Sequence, residues 1–144
     1  MKTVTKNSKE TVELGKKIAQ KLKGGEIIAL EGDLGAGKTT LIKGLARGLG
    51  IKKTITSPTF LIMRMYRIKN QESRIKNLVH VDAYRLKNSD ELTNIGIEEY
   101  LGDKNTVVVI EWADKVRKIL RGKKVIWIKM KVGVGENERV IEIL

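Results

Sequence analysis

Read for alternation and helical spacing, the chain divides into a regular series of short elements. Residues 1–7 are polar and read as a lead-in. Over 8–22, Val12, Leu14, Ile18, Ala19 and Leu22 recur at the spacing of an amphipathic helix, with Ser8 as the candidate N-cap and Gly24-Gly25 as the stop. Ile27, Ile28, Ala29 and Leu30 form an unbroken apolar run, the mark of a strand buried on both faces. Leu41, Ile42, Leu45 and Leu49 then return to helical spacing. Residues 51–58 connect to a β-rich stretch over 59–68, where Phe60, Ile62, Tyr66 and Ile68 alternate. A polar turn over 70–77 and a second strand pattern over 78–86 complete an expected antiparallel hairpin. Asn88 to Glu91 looks like a helix start, followed by a short, broken helix over 92–101. Thr106 to Ile110 is a second fully buried strand, and 113–120 a short helix. Strand patterns over 123–132 and 139–144 flank a glycine-rich turn and predict a closing hairpin. No repeat or linker divides the chain, so 1–144 reads as one domain.

The turn between the first buried strand and its helix carries the chemistry. It fits G-x-x-x-x-G-K-[ST], with Gly32, Gly37, Lys38 and Thr39 in the fixed places. In such a loop glycines let consecutive backbone N–H groups face phosphate oxygens. The helix that follows adds unpaired N–H groups and its positive dipole end. Lys38 would reach the β- and γ-phosphates, and the Thr39 hydroxyl would hold Mg²⁺. The bland reading is a glycine turn with an incidental lysine. The strand before the turn and the helix after it argue against that. The expected fold is α/β: a three-layer, P-loop NTPase-like sandwich around a mixed, mainly parallel sheet with antiparallel hairpins.

Composition narrows the class. A chain of 144 residues, 41% of them hydrophobic, supports one folded domain with a core. It has no cysteine, no apolar run long enough to cross a membrane, and no apolar signal core at its start, so a soluble cytoplasmic protein is expected. The formal net charge is +12. That balance suits a polyanionic partner such as RNA, an acidic protein or the nucleotide itself. A solvated lysine-rich face accounts for it equally well.

A phosphate loop needs acidic partners at the carboxyl ends of neighbouring strands. Glu111, after four apolar residues, and Asp82, in Leu78-Val79-His80-Val81-Asp82, both fit. The alternatives are a helix-capping role for Glu111 and a turn or ion-pair role for Asp82 with Arg85. Alternation puts His80, Asp82 and Tyr84 on one strand face. His80, the lone histidine, reads as structural; Trp112 reads as core packing, with packing under the nucleotide as the alternative. Thr56-Ser57-Pro58-Thr59 reads either as a segment that senses the γ-phosphate or as an ordinary Ser-Pro turn. No Asn-Lys-x-Asp segment selects guanine, so ATP is favoured.

Five segments occur in order: GDLGAGKTT at 32–40, SPTF at 57–60, HVDAYRL at 80–86, GIEEYL at 96–101 and EW at 111–112. Together they resemble the TsaE family, P-loop ATPases of bacterial tRNA threonylcarbamoyladenosine biosynthesis. The likeness covers about residues 8–112. It implies a small, weak ATPase working with TsaB and TsaD, which transfer threonylcarbamoyl to adenosine 37 of tRNA. ATP hydrolysis would support turnover of that machinery, with tRNA met indirectly or through the complex. Position by position, the resemblance assigns ATP to Asp33, Leu34, Gly35, Ala36, Gly37, Lys38, Thr39 and Thr40. It matches Thr39 and Glu111 to the magnesium ligands, Asp82 to an essential strand acid and Thr59 to a switch-like loop. Ser8 and Thr11 match positions near the adenine, and Arg139 a basic residue near the phosphates. The chain departs from the pattern at Ala113, where the family often has proline. Two other functions suit the sequence. One is a small-molecule kinase, with Arg64, Arg67 and Arg74 as candidate lid arginines. The other is a basic RNA-binding module in which ATP is regulatory.

Overall fold

The apolar run at 27–30 becomes the centre of a seven-stranded sheet. The structure is a computed structural model and describes residues 1–56, 61–70 and 72–144. In chain order the strands are β1 (Lys2–Thr5), β2 (Ile27–Glu31), β3 (Met63–Arg67), β4 (Asn77–Asp82), β5 (Thr106–Glu111), β6 (Val125–Val132) and β7 (Arg139–Ile143). The helices are α1 (Ser8–Gln20), α2 (Lys38–Gly48), α3 (Asp90–Asn94) and α4 (Arg117–Leu120). Across the sheet the order is β1-β7-β6-β2-β5-β4-β3. The four central strands β6, β2, β5 and β4 run parallel. Antiparallel partners close both sides: β3 on β4, β7 on β6, and β1 on β7.

Period-2 alternation divides the central strands between two cores. Ile28, Leu30, Val107 and Val109 pack with Leu41, Ile42 and Leu45 of α2 and Ala19 of α1. Ile27, Ala29, Val108 and Ile110 pack on the other face with Leu92, Ile97, Val116 and Leu120. Helices therefore cover both faces, as the three-layer expectation requires. Among the described residues, no helix is long and apolar enough to cross a membrane.

Several boundaries differ from the sequence pattern, each for a local reason. Residues 2–5 are a strand, not a lead-in: Lys2 to Thr5 pair with Glu142 to Arg139 along the edge of β7. Asn7, not Ser8, caps α1. It is extended, with φ −157°, and its side chain accepts the Glu10 N–H at 2.9 Å. The Glu10 carboxylate in turn accepts the Lys6 N–H at 3.1 Å. Strand β4 stops at Asp82, whose carboxylate accepts the Tyr84 N–H at 3.0 Å and turns the chain. The helix expected over 113–120 splits into a 3₁₀ turn, Ala113–Val116, and α4. The break over 92–101 falls at Gly96, where φ is +88° between α3 and a 3₁₀ turn, Ile97–Glu99.

Candidate functional site

Strand β2 ends at Glu31, and residues 32–37 return the chain to start α2 at Lys38. Gly37 caps the helix in the left-handed region, with φ +94°, a conformation that β-carbon-bearing residues adopt only with strain. The loop holds Lys38 inward. Its Nζ donates to the carbonyl oxygens of Gly32 and, at 3.2 Å, of Asp33. The same ammonium lies 4.1 Å from the centre of the Trp112 ring. Lys38 is buried, and burial lowers its pKa; the carboxylates of Glu111, Asp82, Asp33 and Asp114 act in the opposite sense.

Strand register brings the acids to the same place. Parallel β4 and β5 set Asp82 beside Glu111. Alternation turns both toward α2, on the face that also carries Val107, Val109 and His80. Glu111 is buried, and its Oε2 lies 2.7 Å from Nε2 of His80, which is itself fully buried. Asp82 is half-buried. Burial raises its pKa and the neighbouring Glu111 adds to this, while the Tyr84 N–H bond opposes it. The Arg85 pairing considered for Asp82 is absent among the described residues.

These groups open on one cavity of about 370 Å³, lined by residues 33–40, Asp82, Tyr84, Glu111, Trp112 and Arg139. Arg139 begins β7 and packs over Gly37; its Nη1 donates to the carbonyls of Glu136 and Glu138 at 3.1 and 2.9 Å. Its Nε is a buried donor without a partner among the described residues. Ser8 and Thr11 do not line this cavity. Ser8 is exposed on the first turn of α1, and the Thr11 hydroxyl bonds that of Thr5 at 2.7 Å. Thr59 and the SPTF segment lie outside the described residues.

Two lining residues reach the cavity through turns, Tyr84 with no functional reading in the sequence and Trp112 with packing under the nucleotide only as its second reading. Trp112, expected in the core, has φ +59°, and this left-handed turn swings its ring over Lys38. The Tyr84 ring stands 5.0 Å from it, tilted by 49°. Lys115 reaches back to the Tyr84 carbonyl and fastens the turn after β4 to the turn after β5.

The donor set is specific in its chemistry. A glycine loop opening a helix, a buried ammonium and an unpartnered guanidinium Nε suit a polyphosphate. Two carboxylates and a Thr hydroxyl, all oxygen, suit a hard cation such as Mg²⁺. Comparison with known proteins gives the family. The sequence model described as "Threonylcarbamoyl adenosine biosynthesis protein TsaE" matches residues 5–141. The chain belongs to the TsaE family. A tRNA threonylcarbamoyladenosine biosynthesis protein TsaE from Streptomyces coelicolor is 41% identical over 128 residues, covering 88% of this chain and 83% of that protein. The TsaE of Bacillus subtilis is 37% identical over 138 residues, covering 96% and 82%. The crystal structure of Bacillus subtilis YdiB superposes with a TM-score of 0.77 at 33% identity, over 99% of this chain and 83% of that one. The TsaE match runs from the last residue of β1 into β7 and so includes every lining residue of the cavity.

Proposed function

We propose that this TsaE-family chain is the ATP-binding and ATP-hydrolysing subunit of the tRNA N6-threonylcarbamoyladenosine machinery, acting in the cytoplasm with TsaB and TsaD. The observation that carries the reading is the convergence of Lys38, Asp82 and Glu111 on one cavity at the mouth of a glycine loop. Lys38 and the loop N–H groups hold the β- and γ-phosphates. Arg139, with its unpartnered Nε, adds a second cation from β7. Thr39 and Glu111 would hold Mg²⁺, which would offset the charge of the phosphates. Asp82 orients the attacking water and accepts its proton. Its raised pKa makes it a better base than a solvated aspartate, and the Tyr84 N–H fixes its rotamer. Ser8 and Thr11 lie outside the cavity, and the family resemblance alone would place them toward the adenine, beyond the phosphates.

The kinase alternative is not favoured by family membership. Nor do Arg64, Arg67 or Arg74 line the cavity, and Arg64 is engaged with the Thr56 hydroxyl at 3.0 Å. Arg139 is the one arginine among the lining residues, and it sits on the loop side. A slow intrinsic rate, raised by groups that TsaB and TsaD contribute, follows from this. The direct test is a calorimetric titration of the purified chain with ATP and Mg²⁺. Lys38→Ala should weaken binding by about 30-fold or more, the loss of about 2 kcal/mol of charge-assisted contacts. Unchanged affinity would remove the loop from the site.

A further inference from the structure

The lone histidine has no task in the scheme above, yet its surroundings are unusual for a core residue. His80 is fully buried in the middle of β4, on the α2 side of the sheet, where Leu78 and Val109 are its apolar neighbours. Its Nε2 meets Glu111 Oε2 at 2.7 Å. Its Nδ1 is buried and has no partner among the described residues. A carboxylate can only accept, so the proton between the two groups sits on Nε2. A second proton, on Nδ1, would be a buried donor with nothing to receive it. Leu or Phe would fill the same space and leave no nitrogen unpaired. Among the described residues, the one polar contact His80 makes is therefore the contact with Glu111.

We propose that His80 is a positioning residue for Glu111: its Nε2–H fixes Oε2 and so presents the other oxygen, Oε1, to the cavity. The inference rests on the reading of Glu111 as a magnesium ligand. A glutamate has three side-chain torsions, and an unrestrained carboxylate beside the Lys38 ammonium would be drawn toward it. With Oε2 held, Lys38 stays available to phosphate and Glu111 to the cation. The bond lies where water does not compete for it.

The test measures binding, not turnover. A non-hydrolysable ATP analogue is titrated into the full chain by calorimetry, in EDTA and in rising Mg²⁺, for the wild type, His80→Phe and His80→Gln. Gln carries an N–H donor at the reach of Nε2, and Phe carries none. The expected result is that His80→Phe keeps its affinity in EDTA within about twofold. It should need about tenfold or more Mg²⁺ for half-maximal enhancement, in line with the effect of removing a ligand's hydrogen-bond partner. His80→Gln should recover most of that loss. Wild-type magnesium dependence in His80→Phe would show that the histidine only fills space. If His80→Phe does not fold, His80→Gln decides: near-wild-type dependence supports the role, and a loss of tenfold or more overturns it. A wild-type chain that binds the analogue equally well with and without Mg²⁺ would overturn the metal reading, and the positioning role with it.

Discussion

At the scale of single residues, the site holds charges where burial disfavours them. Asp82 is the clearest case, because its pKa is raised above the ordinary 3.8 chiefly by burial. The folded chain therefore binds the Asp82 proton more tightly than the unfolded chain does. Stability from this group is greatest at low pH and is lost as pH rises from the unfolded value through the raised folded one. Asp82→Asn removes that penalty at neutral pH and removes the base as well. The variant should melt higher than the wild type in the absence of ligand, bind ATP within a few fold, and hydrolyse it about 10²–10⁴ times more slowly. Thermal melts and a steady-state assay check both halves. A lower melting point would mean that the carboxylate is structural. In the wild type, turnover should fall as pH is lowered through the raised pKa, above the usual aspartate range. Lys38, Asp82 and Glu111 were legible in the sequence because each has fixed spacing from a buried strand. Tyr84 was not, and Trp112 was legible there only as a second reading, because their place at the cavity depends on one left-handed φ and one carboxylate-stabilised turn, which periodicity does not report. Nor did the sequence show that His80 and Glu111 meet, since that needs the β4–β5 register.

At the scale of elements, the position of the phosphate loop depends on how α2 is seated. Helices α1 and α2 cross with their backbones in contact. A β-carbon on Gly44 would stand 2.2 Å from the Val12 carbonyl oxygen, and one on Gly15 would stand 2.5 Å from that of Leu41. Backbone cannot yield as a flexible side chain does. Gly44→Ala should therefore cost about 1–3 kcal/mol in denaturant unfolding. Because Lys38 opens α2, the same variant should weaken ATP binding several-fold. Full stability with full affinity would show that the helices can separate without consequence. The apolar stripes of both helices were readable, but the crossing was not: in sequence Gly44 is only a helix-weakening residue. The first strand was missed for a related reason. Its four residues, Lys2 to Thr5, hold one apolar side chain, Val4, and that one is exposed. The strand exists because β7 would otherwise be an open edge, which is a property of the assembled sheet.

At the scale of the whole molecule, four parallel strands form the centre of the sheet, three of them, β2, β5 and β4, lead into one cavity at their carboxyl ends, and antiparallel pairs close the sheet on either side. The parallel centre was legible from its unbroken apolar runs and the two hairpins from their turns. The strand order was not, because it depends on which edges find partners. The net charge of +12 does not select between a tRNA surface and a partner protein, whereas the donor set of the cavity suits a polyphosphate. The central claim is that this cavity hydrolyses ATP in the service of the modification complex. The measurement that meets it most directly is ATP hydrolysis by the purified chain, alone and with TsaB and TsaD, with and without tRNA, with Lys38→Ala as the control. The account predicts slow turnover alone, a rise of at least about tenfold with the pair, and loss of both in Lys38→Ala. A rate unchanged by the pair, or a rise that Lys38→Ala retains, would contradict it.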